Sequence, residues 1–460
     1  MRVQLGADLR VTDAPADVRA VLCKAATFPH PEYRKRVRLG RSVYGVPSQL
    51  LLWRQEGEWL IVPRGLAGLL PRAIVEDARA ILPRIEFGWR GQLWPEQRQA
   101  ALAAVRAGGG VVVGPCGSGK TQMGLACLSA WRQPTLWIVH TTDLARQALD
   151  RARQLFDLPP WAYGLLGAGS ESMGSHLTVA TVQTLARRDL GKLAGRFGAV
   201  VCDECHHTPS TTFTEVLQAF PARYRLGLTA TPDRSDGLAG VMYAVMGGQV
   251  ARLTVRQLAE AGRVLLPLVR QIRTGFRYPY TDRFQELMAA LVADRPRNDL
   301  IAERIAAEAR AGRRCLVLSE RVWHCAEMAR VLQAVAPDVR SAVLTHETKE
   351  KARAYVLRGI GQGGIPVVFA TQLADEGLDI PAVDRLVLAA GGRAAGRVQQ
   401  RVGRAMRALA GKDPEILDFV DGGPVLEAQA RARAREVYGP LGLRVVREDG
   451  GTAVAAGGSM

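Results

Sequence analysis

The stretch that most limits what this chain can become is Gly114-Pro115-Cys116-Gly117-Ser118-Gly119-Lys120-Thr121. It is a G-x-x-x-x-G-K-T loop set between an apolar run ending at Val113 and a helical stretch from Gln122 to Trp131. Glycines at this spacing let consecutive backbone N–H groups converge on phosphate oxygens, and the helix that follows adds the positive end of its dipole. Lys120 is expected to reach the β- and γ-phosphates of a nucleotide, and the Thr121 hydroxyl to sit on Mg2+. A Gly-rich turn carrying an exposed lysine satisfies the same pattern. The rest of the chain therefore has to supply a metal carboxylate, a water-activating group and an arginine finger.

A chain of 460 residues exceeds one compact core, so two or three domains are expected. No apolar run approaches a membrane span, and the first residues lack the charged-then-apolar pattern of a signal peptide, which points to a cytoplasmic location. The net charge is +17 and Arg heavily outnumbers Lys, a balance suited to bidentate phosphate contacts. Nucleic acid is thus the leading partner, although an Arg-rich solvated surface has the same composition. The seven cysteines, without a secretion signal, read as reduced thiols. Cys202-Asp203-Glu204-Cys205-His206 matches a haem-attachment pattern, and with His207 half a zinc site. No second Cys/His pair lies at finger spacing, and the acids inside the pattern have a better use.

Residues 1–86 read as a small accessory domain of mixed α/β or mainly β character, with strand-like runs at Gln49 to Trp53 and Trp59 to Val62. Its basic segment, Tyr33 to Leu39, is either a grip on a phosphate backbone, making this a DNA-binding domain, or a solvated face. From about Phe87 the pattern becomes repeated strand, loop and helix, the signature of parallel sheets wrapped by helices. Apolar strands are expected to end at Val113, Val139, Ala180, Cys202 and Leu228. In open α/β sheets ligands bind at the carboxyl ends of the strands, so chemistry is sought in the loops that follow.

Phe197 to Cys202 should be a buried strand, with Asp203 and Glu204 directly at its carboxyl end. Two adjacent carboxylates there are expensive to keep without a cation. Asp203 suits Mg2+ and Glu204 the attacking water. The next strand ends in Gly227 to Pro232, whose small hydroxyls Thr229 and Thr231 are placed to bridge to the acids and couple them to the γ-phosphate. A second α/β unit begins near Val264, with strands at Leu265 to Ile272, Cys315 to Ser319, Val343 to Leu344, Val367 to Ala370 and Arg385 to Ala389, and a helix over Asp299 to Ala311. Arg404 and Arg407 lie three apart, on one helical face, as would suit a γ-phosphate held by another domain. The tail from Arg447 reads as flexible.

The ordered set of motifs over residues 90–425 resembles the superfamily 2 helicases and translocases. Leu93 to Gln97 is similar to the adenine-reading segment, Gly114 to Thr121 to motif I, and Val139 to Gln147 to motif Ia. Asp203-Glu204-Cys205-His206 resembles a DExH motif II, Thr229-Ala230-Thr231 motif III, Thr371 to Pro381 motif V, and Gln400-x-x-Gly403-Arg404-x-x-Arg407 motif VI. The details look most like the XPB/UvsW-like DNA helicases and the related motor subunits of restriction enzymes. Arg234-Ser235-Asp236 departs from the Arg-Glu-Asp triplet of that group, and the span from Phe276 to Asn298 is short for a thumb insertion.

The resemblance implies two tandem RecA-like domains with parallel sheets, at 87–263 and 264–425, between the N-terminal domain at 1–86 and a C-terminal helix and tail at 426–460. It implies an ATP- and Mg2+-dependent enzyme in which Lys120, Thr121, Asp203 and Glu204 work with Gln400, Arg404 and Arg407 from the other half. Gln97, Gly114, Pro115, Cys116, Gly117, Ser118, Gly119, Gly377 and Asp379 would hold the nucleotide. Thr142, Arg146, Thr181, Gln183 and Thr371 would touch a nucleic-acid strand, mainly through its backbone. Single-stranded, duplex or branched DNA is favoured over RNA, with 3′-to-5′ movement in repair, recombination or defence by a monomer or weak oligomer. A duplex translocase that leaves the strands paired and a nucleotide-gated binding protein remain as alternatives.

Overall fold

The computed structural model describes the chain apart from residues 72–73, 168, 208–210, 233–237, 280–282, 372–381, 391–401, 404–410 and 450–460. Met1–Thr254 forms one compact unit and Val255–Met460 a second. Within the first, β1 (Arg2–Leu5), β2 (Asp8–Thr12), β5 (Arg54–Glu56), β6 (Trp59–Pro63) and β7 (Ile74–Asp77) make a mainly antiparallel sheet in the order β5-β6-β2-β1-β7. A two-stranded ribbon of β3 (Thr27–Pro29) and β4 (Gln49–Leu51) stands beside it. Apolar residues alternate inward along β1, β2 and β6, and Val3, Leu9, Val11, Leu60 and Val62 pack on Leu22 from the helix Ala16–Ala25.

The same unit holds a sheet of eight strands, with β8 (Gly109–Val113), β9 (Thr135–Val139), β10 (Tyr163–Gly167), β11 (Ser170–Ser172), β12 (Leu177–Thr181), β13 (Ala199–Asp203), β14 (Tyr224–Thr229) and β15 (Gln249–Arg252). The order is β11-β10-β12-β9-β13-β14-β8-β15, and every pair but β10 with β11 is parallel. β8, β9, β12 and β13 are buried along their whole length, which is why they read as continuous apolar runs and not as alternating ones. The chain leaves β8 on one side of β14 and β13 and returns as β9 on the other. That crossover leaves a crevice at the carboxyl edge, where ligands of open α/β sheets bind.

The second unit carries an all-parallel sheet of β16 (Leu268–Arg273), β17 (Cys315–Ser319), β18 (Ser341–Leu344), β19 (Val367–Thr371), β20 (Arg385–Leu388), β21 (Glu415–Val420) and β22 (Val445–Asp449), in the order β18-β19-β17-β20-β21-β16-β22. Both sheets have the strand–helix alternation of RecA-like domains. β16 begins three residues later than the expected Leu265, because Pro267 offers no N–H to the ladder. The expected flexible tail from Arg447 is corrected for residues 447–449. They belong to β22, which pairs with β16 along Val269 to Arg273, and Arg270 holds Glu448 at 3.3 Å.

His324 lies fully buried in this unit, its Nδ1 2.8 Å from Ser319 Oγ and its Nε2 3.2 Å from Asn298 Oδ1. Burial, helped by the nearby Arg297 charge, pushes its pKa down from 6.5 to about 3. The folded state thus refuses a proton that the unfolded chain accepts. The stabilisation is complete above the unfolded pKa of 6.5 and is lost as pH falls towards 3. Between pH 6 and 4 this one group should remove about 1.4 kcal/mol of stability per pH unit. Urea unfolding of wild type and His324→Gln across that range checks it, and the variant is expected to show a slope flatter by that amount.

Candidate active site

Because β8, β14 and β13 run parallel and in register, Val113 pairs with Thr229 and Leu228 with Asp203, so the loops that follow all open at one edge. The phosphate loop leaves β8 with Gly114 N donating to Thr229 O at 2.9 Å. It enters the helix Lys120–Trp131 through Gly119, whose φ of 75° is the left-handed conformation that glycine adopts without strain. A Cβ at Gly119 would lie 2.3 Å from Gln97 Nε2. Gln97 is itself buried, donating to Ser118 O at 2.9 Å and accepting from Trp94 N at 3.0 Å, so it braces the loop from the helix Pro95–Ala107.

Lys120 is buried, and its Nζ donates to the carbonyls of Gly114 and Pro115 at 3.0 and 3.5 Å, which curls the ammonium back into the loop. Thr121 Oγ1 lies 3.4 Å from Asp203 Oδ2. The lysine and hydroxyl of one loop and the carboxylate of another strand therefore share one pocket of space. Glu204 stands next to them in a left-handed conformation, φ 50°, unusual for a residue with a side chain and of order 1 kcal/mol in strain. Its N–H donates to Asp203 Oδ1 at 3.0 Å, which fixes the turn.

Burial first, then the charge of Glu204, push the Asp203 carboxyl up, and Lys120 draws it partly back. Burial raises Glu204 as well, but the Lys120 charge and the adjacent His206 outweigh it and hold that carboxyl low. Of the pair, Asp203 is where a first proton would go. The buried Glu204 Oε2 and Ser118 Oγ lack a hydrogen bond of good geometry among the described residues. A buried Ser118 hydroxyl without a partner among the described residues and two adjacent carboxylates, beside a lysine, a threonine hydroxyl and a glycine cradle, fit a triphosphate with Mg2+. Thr121 and Asp203 are the residues that could hold such an ion.

His206 was missed as a site residue by sequence reasoning, although it closes the Asp203-Glu204-Cys205-His206 pattern. Its Nδ1 lies 3.3 Å from Glu204 Oε2 and 3.2 Å from Thr229 Oγ1, and Thr229 Oγ1 in turn accepts Thr231 N at 3.2 Å. The bridge between the acids and the expected coupling threonines thus runs through an imidazole. His140, after β9, lies against His207 with ring centroids 4.2 Å apart and the planes tilted by 39°.

The expected nucleic-acid residues are less uniform. Thr142 and Gln183 are exposed at the starts of helices following β9 and β12. Arg146 lines a surface cavity of about 350 Å3 with Arg153, Tyr163 and Ser172. Thr181 is buried and caps the helix Val182–Ala186, its hydroxyl accepting from Thr184 N at 3.3 Å. Thr371, at the end of β19, is buried with Oγ1 unpartnered among the described residues. Gly377, Asp379, Gln400, Arg404 and Arg407 lie outside the described residues.

A glycine-rich phosphate loop braced against a paired acid at the next-but-one strand defines a nucleoside-triphosphate site on a RecA-like sheet. Residues 90–234 match the family described as type III restriction enzyme, res subunit, and residues 297–409 match the helicase conserved C-terminal domain. The DNA 3'-5' translocase XPB2 of Sulfurisphaera tokodaii is 26% identical over 355 residues, spanning 70% of this chain and 79% of that protein. Among solved structures, the ATP-dependent Type ISP restriction-modification enzyme LlaBIII bound to DNA matches 78% of this chain and 31% of its own, at TM-score 0.59 and 16% identity. S. cerevisiae Dbp5 bound to RNA and ADP BeF3 matches 78% of this chain and 90% of its own, at TM-score 0.59 and 13% identity. These matches support a superfamily 2 helicase or translocase, related to XPB-type proteins and to restriction-enzyme motor subunits.

The Gly119 geometry sets a direct test of the pocket. Gly119→Ala should weaken binding of a fluorescent ATP analogue at least tenfold, since the added methyl must displace Gln97 and adopt a disfavoured φ. Circular dichroism should show the fold retained.

Proposed function

We propose that this enzyme hydrolyses ATP to move along DNA, or to unwind it, on duplex or branched substrates and in the 3′-to-5′ direction. The observation that carries the reading is the convergence of Lys120 and Thr121 with Asp203 and Glu204 at one sheet edge, with Thr121 Oγ1 3.4 Å from Asp203 Oδ2. Mg2+, when bound, supplies charge that neutralises the phosphate oxygens during in-line transfer. Lys120 exchanges its loop carbonyls for β- and γ-phosphate oxygens. Glu204, kept ionised beside Lys120, orients the attacking water and takes up its proton. His206 is a positioning residue, holding Glu204 and relaying its state to Thr229 and Thr231. Gln400, Arg404 and Arg407 from the second unit are proposed to complete the charge stabilisation, and Gly377 and Asp379 to meet the nucleotide.

The relative named as a DNA 3'-5' translocase and the LlaBIII structure bound to DNA favour DNA over RNA, and the +17 charge suits a polyanion. Thr142, Arg146, Thr181, Gln183 and Thr371 are proposed to line the strand, mainly at its backbone, so that binding is salt-sensitive and weakly sequence-specific. Dbp5 bound to RNA carries the same fold, which keeps RNA as the second reading.

DNA-stimulated ATPase assays test the proposal. Lys120→Ala should abolish turnover, and Glu204→Gln should lower it about 10²- to 10⁴-fold while leaving nucleotide binding intact. Arg404→Ala and Arg407→Ala should each cost about 10³-fold or more. Retained turnover in Lys120→Ala or Glu204→Gln would overturn the assignment of the site. Strand-displacement and triplex-displacement assays run side by side separate unwinding from translocation on intact duplex. Greater stimulation by RNA than by DNA would replace the substrate.

A further inference from the structure

Between β3 and β4 the chain leaves the N-terminal module for residues 30–48, which form an arm of one helix, Pro31–Arg38, and the loop that returns from it. No residue of that helix is buried. The arm is nonetheless ordered by its own hydrogen bonds. His30 N donates to Ser48 O at 3.0 Å, Arg41 N to Arg36 O at 2.9 Å, and Arg36 Nη1 to Ser42 O at 3.2 Å. Its surface holds five Arg and Lys residues against the single Glu32, and that acid is already met by Arg36 at 3.0 Å and, more loosely, by Lys35 at 3.9 Å. Arg34, Lys35, Arg38 and Arg41 are exposed, and Tyr44, at 94% exposure, is the most uncovered large hydrophobic side chain among the described residues.

The base of the arm is clamped to the nucleotide-binding part of the same unit. Phe28, in β3, presses on the helix Ala239–Met246 so closely that a Cβ at Gly240 would lie 2.6 Å from its ring. Ala244 of that helix belongs to the core of the N-terminal module, and its Met242 Sδ receives Cys205 Sγ at 3.4 Å, one residue beyond Glu204. The buried Arg64 donates to Ala222 O at 2.6 Å, and the buried Arg225 donates to Ala7 O, Leu217 O, Phe220 O and Val245 O at 2.9 to 3.2 Å. Burial lowers the Arg225 pKa to about 10 while Asp8 raises it, so the guanidinium stays charged at neutral pH and ties both modules through carbonyls. The base of the arm is therefore packed against the same helix that packs on the strand carrying the acids.

We infer that the arm at residues 30–48 is a second nucleic-acid contact of the first unit, gripping the sugar-phosphate backbone of a duplex through Arg34, Lys35, Arg38 and Arg41, with Tyr44 laid against sugar or base. The inference rests on the reading of the chain as a nucleic-acid motor. A helix with no fully buried residue gains little from packing, and Arg34 and Arg38 make no side-chain hydrogen bond among the described residues. Guanidinium groups in an uncompensated cluster, next to an exposed ring, match phosphates and stacking partners in charge and shape. A firm grip on a rigid body lets each nucleotide-driven movement be measured against DNA that does not slip.

The test compares the full chain with its Arg34→Ala/Lys35→Ala/Arg38→Ala/Arg41→Ala variant, using a fluorescein-labelled duplex across a salt series. The variant should bind at least tenfold more weakly at moderate salt. Its plot of log K against log salt should be shallower by about 0.9 for each phosphate that the variant no longer neutralises. Tyr44→Ala should weaken binding without changing that slope. An Arg34→Lys/Arg38→Lys/Arg41→Lys variant should keep the slope, and ATPase activity without DNA should be unchanged in all of them. Equal affinity and slope in the wild type and the alanine variant would overturn the arm alone. Absence of duplex binding by the wild type would overturn the motor reading with it. A variant that loses binding to phosphatidylserine vesicles or poly-glutamate, yet keeps its duplex affinity, would also overturn the proposal.

Discussion

Two carboxylates stand side by side at the end of a strand buried along its whole length, and everything near them answers that electrostatic demand. Asp203 is almost inaccessible and Glu204 Oε2 is buried, so the pair is tolerable only with positive charge close by. Lys120 supplies part of it from the neighbouring loop. The register of β8, β14 and β13 is what brings the two together, since Thr229 faces Val113 and Leu228 faces Asp203. A slip of one residue in β14 would turn Thr229 to the opposite face and break its contact with His206.

The same logic reaches outward through the first unit. Arg225 sits in β14 itself, and four backbone carbonyls converge on its guanidinium, one of them from the N-terminal module. Gly65 approaches the helix Ala239–Met246 so closely that a Cβ would lie 2.4 Å from Ala244 O. Removing such a charge would leave carbonyls without donors in a dry interior, at roughly 1–3 kcal/mol for each. The module of residues 1–77 is thus welded to the sheet that binds the nucleotide.

Much of this was legible in the sequence, for a physical reason. The strands at Val113, Val139, Ala180, Cys202 and Leu228 were placed within one residue of their observed ends, because fully buried parallel strands are short apolar runs cut off by polar loops. β21 was not foreseen. Its sequence, Glu415-Ile416-Leu417-Asp418-Phe419-Val420, interleaves acids with apolar residues and reads as half exposed. In the fold both acids are buried, Asp418 against Arg433 at 2.7 Å and Glu415 against Arg270 at 2.7 Å, and partners distant in sequence do not announce themselves. The role of His206 was hidden for a similar reason. Its partner Thr229 lies twenty-three positions away and meets it only once β13 and β14 pair.

The strain at Glu204 ties these observations together. A glycine at that position would relieve the left-handed backbone at no steric cost, yet the chain keeps a carboxylate there and accepts about 1 kcal/mol. That conformation turns the chain from β13 directly into the short helix Cys205–His207, which sets His206 over Thr229 and buries Cys205 beneath it. Relaxing the turn would move the imidazole and the carboxylate together. Glu204 is thus linked through His206 to Thr229 and, through the Thr231 N–H, to the head of the segment that leaves β14. A strained acid, a bridging histidine and a hydroxyl on a central strand form one connected path, along which a change of charge at the acid would reach the backbone after β14.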